Sequence, residues 1–99
     1  MTLKIQRANE QNLVLFVLTG RIQAEQLPEL QALLKAESPD KGVVLDLKEV
    51  RLVDRDVVRF LADREAEGTT LRNCSAYLRE WIVRERTAVL TEEFGANKI

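Results

Sequence analysis

Histidine is absent from the 99 residues of this chain, and cysteine occurs once, as Cys74. The Ser-His-Asp and Cys-His catalytic arrangements, and most zinc and non-haem iron sites, need an imidazole, so the missing histidine excludes them. A single thiol forms neither an intrachain disulfide nor a CxxC site, and an unpaired cysteine is typical of a reducing compartment. No other residues assemble a nucleophile, a base and oxyanion donors, and although Asp54 and Asp56 could hold Mg²⁺, two carboxylates in a D-x-D pattern are a poor indication of a site. We therefore expect a protein that is not an enzyme and holds no metal or cofactor.

An excess of charge of one sign is also lacking. Fifteen Lys and Arg against sixteen Asp and Glu leave a net charge of −1, so no overall field attracts nucleic acid or anionic lipid. No apolar run approaches the ~20 residues needed to cross a bilayer, and residues 1–7 match neither a signal peptide nor a lipidation motif. We expect a cytoplasmic protein that binds no nucleic acid and does not insert into a membrane.

The residues that are present suffice for one hydrophobic core. A hydrophobic fraction of 45% with 31% charged residues is typical of globular proteins, and 99 residues are enough for a single domain. We therefore expect one domain over residues 1–99, with its core in residues 3–86. Residues 87–99 form a C-terminal extension that either docks as a further turn or frays.

The hydrophobic pattern predicts two strands at the start of the chain. Apolar and polar residues alternate over residues 3–7, residues 13–18 are almost all apolar, and the polar residues 8–12 between them suit a hairpin connection. A continuous apolar run is typical of a strand covered on both faces.

Helical and strand periods then alternate. The predicted elements are a helix from Ala24 or Glu25, a strand over residues 43–47, a helix that closes at Gly68, a strand over residues 69–74 and a helix capped by Ser75. The order ββαβαβα predicts an α/β fold with a mixed four-stranded sheet, helices packed on it and right-handed crossovers.

Three segments in this order resemble the STAS family, the domain of bacterial anti-sigma factor antagonists, stressosome proteins and the cytoplasmic tails of sulfate transporters. Residues 18–22 resemble the family's L-x-G-x-[LI], and residues 43–54 are similar to its V-x-L-D-L-x-x-V-x-x-[IV]-D. Residues 68–75 are similar to its last strand and the entry into its final helix. The resemblance covers roughly residues 3–86 and implies a STAS-like fold and a role in bacterial signal transduction and transcription regulation.

The chain departs from the family at the position that serves as a switch. Phosphorylated STAS antagonists continue Asp-Ser-Ser-Gly or Asp-Ser-Thr-Gly, and an anti-sigma kinase phosphorylates the second hydroxyl residue. Here Asp54 keeps the aspartate, Arg55 replaces the first serine, Asp56 occupies the phosphoacceptor position and Val57 replaces the glycine. Because a carboxylate is no substrate for a seryl kinase, the resemblance implies an interaction module that is not switched by phosphorylation at this position.

The same stretch can be interpreted without the family. Carboxylates in the first turn of a helix are stabilised by about 0.3–1 kcal/mol each, and Asp56 is a partial mimic of phosphoserine. The i, i+4 spacing places Arg59 on one helix face with Arg55 and couples it to Asp63, so that guanidinium groups are presented to carboxylates of a partner. Alternatively, Asp54 is only a helix cap and the charged pairs are solvated surface.

The predicted interaction surface consists of Arg21, Asp54, Arg55, Asp56, Val57 and Arg59. The resemblance implies as partner an anti-sigma factor of the kinase-like ATPase type, another STAS-containing regulator or a membrane transporter's cytoplasmic component, and a homodimer is also considered. The alternative function is a domain that senses a small anion or nucleotide at the start of the second helix. Alternative phosphorylation sites are Thr69, Thr70 and Ser75. Their alternative, structural interpretation is that both threonines belong to a strand and that Ser75 caps a helix.

Two further features also have two interpretations. A helix N-terminus could lower the pKa of Cys74, but a small buried residue is the preferred interpretation. The stripe of Tyr77, Leu78 and Trp81 predicts packing against the sheet rather than a docking surface.

Overall fold

A computed structural model describes residues 3–38 and 40–97 of the chain, with side chains up to Thr87. The strands are β1 (Leu3–Glu10), β2 (Leu13–Ile22), β3 (Gly42–Val53) and β4 (Thr70–Arg72). The helices are α1 (Leu27–Lys35), which follows a 3-10 turn at Ala24–Gln26, α2 (Arg55–Ala66) and α3 (Ala76–Asn97). The predicted order ββαβαβα is confirmed.

The four strands form one mixed sheet in the order β1-β2-β3-β4. β1 pairs antiparallel with β2, while the pairs β2–β3 and β3–β4 are parallel. The two crossovers step in the same direction across the sheet, so two right-handed connections place α1 and α2 on the same face. The predicted α/β fold with a mixed four-stranded sheet is confirmed at this level.

The hairpin is tighter than predicted. β1 continues to Glu10 and pairs residue by residue with β2, so only Gln11 and Asn12 form the turn. Gln11 adopts a φ of 51°. The polar character of residues 8–12 predicts a loop, but residues 8–10 belong to β1 because their backbone groups pair with β2.

The hydrophobic core lies between the helices and one face of the sheet. Every second residue of β2 points into it: Val14, Phe16 and Leu18 are at most 1% exposed. The other strand and helix residues of this single cluster are Ile22, Leu30, Leu34, Leu45, Leu47, Val57, Val58, Phe60, Leu61, Ala62, Leu78 and Ile82.

The opposite face of the sheet, which we call the open face, is not part of this cluster. Leu13 is 39% exposed, and Leu15 and Val17 are half-buried. No helix among the described residues packs there. The prediction that β2 is an interior strand and not an edge is confirmed, but in the single chain only one of its faces is covered by helices. The reason is the strand order, which directs both crossover helices to the same face.

The third helix is longer than predicted. Its backbone continues to Asn97 over 22 residues, or about 33 Å, so most of the predicted extension 87–99 is helical and its last two residues lie outside the described part. Within the described residues, no helix combines the length and the apolar character that a membrane span requires.

Candidate interaction site at the start of α2

Asp54 joins the beginnings of two helical segments. Its Oδ1 accepts a hydrogen bond from the backbone N–H of Val57 at 3.0 Å, which caps α2. Its Oδ2 accepts one from the backbone N–H of Ala24 at 2.8 Å, at the start of the 3-10 turn. The predicted capping role is therefore confirmed, and both carboxylate oxygens are engaged within the chain.

These bonds bear on the anion-binding alternative. The Val57 N–H is one of the unpaired donors that an anion at a helix start would use, and here a carboxylate of the chain already occupies it. A second carboxylate, Asp56, lies in the same turn. In addition, the sheet has no point at which the helices change faces, where open α/β sheets bind small ligands. This geometry does not favour an anion or nucleotide site.

Asp56 is exposed, as its predicted role requires. It is the second residue of α2, and its side chain lies in the first turn on the solvent side of the helix. The predicted interaction surface therefore carries an accessible carboxylate at this position.

Two of the three arginines of the predicted surface converge on a glutamate of α3. The Nε atoms of Arg59 and Arg55 donate to Glu85 Oε1 at 3.0 Å and 3.3 Å. Hydrogen bonding from Arg59, joined by Arg55, lowers the pKa of Glu85 against the opposing effect of desolvation. The Glu85 side chain is mostly buried, while those of Arg55 and Arg59 keep 59% and 42% of their surface exposed. The arginines are thus positioned by Glu85 and remain accessible.

Besides Asp54, whose two carboxylate oxygens are engaged within the chain, two residues leave the predicted surface. The side chain of Val57 is fully buried in the core cluster, because the first turn of α2 directs it at the sheet. Arg21 pairs with Leu52 in the sheet register, and its neighbour Ile22 is buried on the helix side. Because side chains alternate along a strand, Arg21 points to the open face, away from α2.

The alternative phosphorylation sites differ in access. Thr69 is buried, and its hydroxyl accepts a hydrogen bond from Arg64 Nη2 at 3.4 Å, so the prediction that it is a modification site does not fit its burial. The hydroxyl of Ser75 accepts from the Leu78 N–H at 3.1 Å and caps α3, as its structural interpretation expects. Thr70 is exposed on β4.

The structure also contains an apolar groove next to this site. It was not predicted from the sequence. We call it the aromatic groove; it is lined by Val50, Arg51, Leu52, Val53, Ser75, Tyr77, Leu78 and Trp81 and encloses about 90 Å³. Tyr77 is 73% exposed and Leu52 is 49% exposed, although Leu78 packs in the core as predicted. The rings of Tyr77 and Trp81 meet edge to face at 5.9 Å.

The groove exists because the last strand is short. β4 pairs only with residues 44–46 of β3, so the second half of β3 extends past it. The first turns of α3 lie beside that half instead. A helical wheel could have indicated that Tyr77 is exposed. Successive helix residues are rotated by about 100°, so Tyr77 lies on a different side of α3 from the buried Leu78.

Cys74 is half-buried at the end of β4. Burial raises the pKa of its thiol, and this effect exceeds the lowering by the positive charge of Arg79. The structural interpretation of this residue therefore fits better than a reactive thiol. Within the described residues, acidic and cysteine side chains nowhere form a group of three that could hold a metal ion.

Comparison with models of known protein families gives no match, and comparison with curated proteins gives none either.

Proposed function

We propose that this chain is a STAS-like protein-interaction module that binds a regulatory protein through the first turn of α2 and the aromatic groove. The motif resemblance in residues 18–22 and 43–54 supports the STAS assignment, together with the compatible order of elements and the mixed sheet. The observation that carries the function is the exposed Asp56, which stands where the family's antagonists carry a phosphorylated hydroxyl residue.

The surface is ordered before it meets a partner. Trp81 and Glu85 are one turn apart on α3, so the aromatic groove and the arginine pair are adjacent along this helix. Glu85 holds Arg55 and Arg59 in place, which reduces the conformational entropy lost when they bind a carboxylate. An exposed tyrosine and a half-buried tryptophan next to positioned arginines have the composition of binding hot spots.

The negative charge of Asp56 is permanent. It carries one unit of charge where phosphoserine carries about 1.5 to 2, and it cannot be removed by a phosphatase. The proposed module is therefore constitutive: its state does not depend on a kinase acting at residue 56. Its proposed partner is an anti-sigma factor of the kinase-like ATPase type or another STAS-containing regulator in the bacterial cytoplasm.

Charge reversal on α2 tests this proposal. The chain is immobilised, partners are captured from the native cytoplasm and quantified by mass spectrometry, and candidate kinase-like ATPases are then titrated by calorimetry. Asp56→Lys and Tyr77→Ala should each weaken a specific partner at least about tenfold, or about 1.4 kcal/mol. The matched control is Glu29→Lys, which reverses an exposed carboxylate in the first turn of α1 instead of α2. A partner that binds all variants equally would exclude the proposed surface.

A further inference from the structure

The open face presents rows of side chains that the register of the sheet defines. From one end of the strands to the other, the rows are Glu10–Leu13–Gly42, Ala8–Leu15–Val44–Thr70, Gln6–Val17–Asp46–Arg72 and Lys4–Thr19–Glu49. The middle of the face is apolar, and opposite charges stand at the two ends of β1.

The uncovered face belongs largely to parallel strands. All-parallel sheets occur almost only where both faces are covered; this sheet is mixed, but β2, β3 and β4 are parallel to one another. β2 also has the nearly continuous apolar sequence that such covering produces. Val14, Phe16 and Leu18 are buried in the core of the single chain. On the open face Val44 is 4% exposed, whereas Leu13 is exposed and Leu15 and Val17 are only half-buried.

We propose that a second copy of this chain covers the open face in a two-fold symmetric, face-to-face dimer. The charge pattern of β1 supports a second copy as the occupant. Lys4 and Glu10 are both exposed on the open face, six residues or about 20 Å apart. A two-fold axis that runs across the strands between the rows of Gln6 and Ala8 places Lys4 of each copy opposite Glu10 of the other.

The same two-fold axis brings the apolar centre of one copy's open face against the apolar centre of the other's. Leu15 of one copy lies over Val17 of the other, and a symmetric contact of this kind uses one patch twice. Asp46, the charged residue nearest the centre, already accepts hydrogen bonds from the Asn73 amide at 3.2 Å and the Lys48 N–H at 3.0 Å. These bonds reduce the cost of removing its carboxylate from water.

The size of the face sets the strength of the contact. The four strands, spaced about 4.8 Å apart and on average about eight residues long, give a face of roughly 500 Å² per copy. The dimer then buries about 1,000 Å² in total, at the lower limit for a specific interface. We therefore expect a weak dimer, with a Kd between about 10 µM and 1 mM.

Sedimentation equilibrium from about 10 µM to 1 mM protein tests the dimer, with circular dichroism as a check that each variant folds. Leu13→Lys should raise the Kd at least about tenfold. The matched control is Val83→Lys, because Val83 is 52% exposed on α3, away from the open face, and should leave the Kd unchanged. Lys4→Glu and Glu10→Lys should each weaken the dimer, and the double variant should restore it, because it re-forms both ion pairs with their signs exchanged.

Three results would overturn the proposal. A wild-type chain that stays monomeric at about 1 mM excludes the second copy and leaves a different protein as the occupant of the face. A dimer that Val83→Lys disrupts and Leu13→Lys does not uses another surface. A double variant that is as weak as both single variants excludes the two-fold arrangement of Lys4 and Glu10.

Discussion

The carboxylate of Asp54 accepts a hydrogen bond from the backbone N–H of Ala24, 30 residues earlier in the chain, at 2.8 Å. The other oxygen of the same carboxylate caps α2 through the Val57 N–H. One side chain therefore fixes the start of α2 relative to the segment that leads into α1. This leaves the two carboxylates of the segment with different roles, Asp54 inside the structure and Asp56 on its surface.

Removing the Asp54 carboxylate should destabilise the fold. Asp54→Ala removes the cap of α2 and leaves the Ala24 N–H without its acceptor, so we expect the free energy of unfolding to fall by about 2 kcal/mol. Asp54→Asn keeps one acceptor oxygen and should lose less. Urea denaturation at pH 7 measures both. Asp56→Ala is the control and should cost no more than about 1 kcal/mol, the contribution of an exposed first-turn carboxylate; an equal loss in both alanine variants would contradict the division of roles.

The order of the elements could be predicted because the hydrophobic period changes clearly between strands and helices. Side-chain direction was harder to predict where two signals conflicted. The period of Val57, Val58 and Leu61 places Val57 on the apolar side of α2, whereas the resemblance to a known motif had predicted it at the interaction surface. The structure agrees with the period.

Contacts between elements distant in the sequence could not be predicted. Spacing within α2 indicates Asp63 as a neighbour of Arg59, but the bond to Glu85 depends on how α3 packs against α2. The aromatic groove likewise depends on the length of β4, which ends after three residues. The local sequence pattern determines neither the Arg59–Glu85 bond nor the aromatic groove, because both result from tertiary packing.

Acid should weaken the contact between α2 and α3. The pKa of Glu85 is lowered in the folded chain, mainly by the hydrogen bond from Arg59, relative to an ordinary value of 4.5. The stability that this carboxylate contributes is therefore fully present above pH 4.5 and is lost as the pH falls through the lower, folded-state pKa. Glu65 and Glu37 behave in the same way, because Arg79 and Arg7 lower their pKa values.

The variant Glu85→Gln isolates one of these carboxylates. At pH 7 it should lower the free energy of unfolding by about 1 kcal/mol, and the difference from the wild type should vanish at low pH, where Glu85 is protonated. Urea denaturation between pH 7 and pH 2 measures it. Glu80→Gln removes an exposed pair with Arg84 on the same helix and should have almost no effect. A difference that persists unchanged in acid would show that the loss does not come from the charge.

Cys74 should react slowly in the folded chain. Burial raises its pKa above the ordinary value of 9.0, so less thiolate is present at pH 8 than in a free thiol. We expect an aromatic disulfide reagent to react at least about tenfold more slowly with the native chain than with the chain unfolded in urea. The native rate should continue to rise above pH 9. A native rate equal to the unfolded rate would contradict the structural role.

Gly68 ends α2 in a backbone conformation that other residues avoid. It has a φ of 112°, its N–H donates to the Glu65 carbonyl at 3.1 Å, and the Thr69 N–H donates to the Arg64 carbonyl at 2.9 Å, the two bonds of a Schellman motif. A Cβ atom added at this residue would meet nothing within 4 Å. Any cost of a side chain here is therefore due to backbone strain and not to a clash.

We expect Gly68→Ala to lower the free energy of unfolding by about 1–2 kcal/mol in urea denaturation at pH 7, since alanine does not tolerate a positive φ. Gly68→Asn should lose less, because asparagine accepts positive φ more readily than alanine. The order glycine, asparagine, alanine is what identifies backbone strain as the cause. If asparagine, the larger side chain, were the more destabilising of the two, steric contact would be the cause and the open space around this residue would have to close in solution.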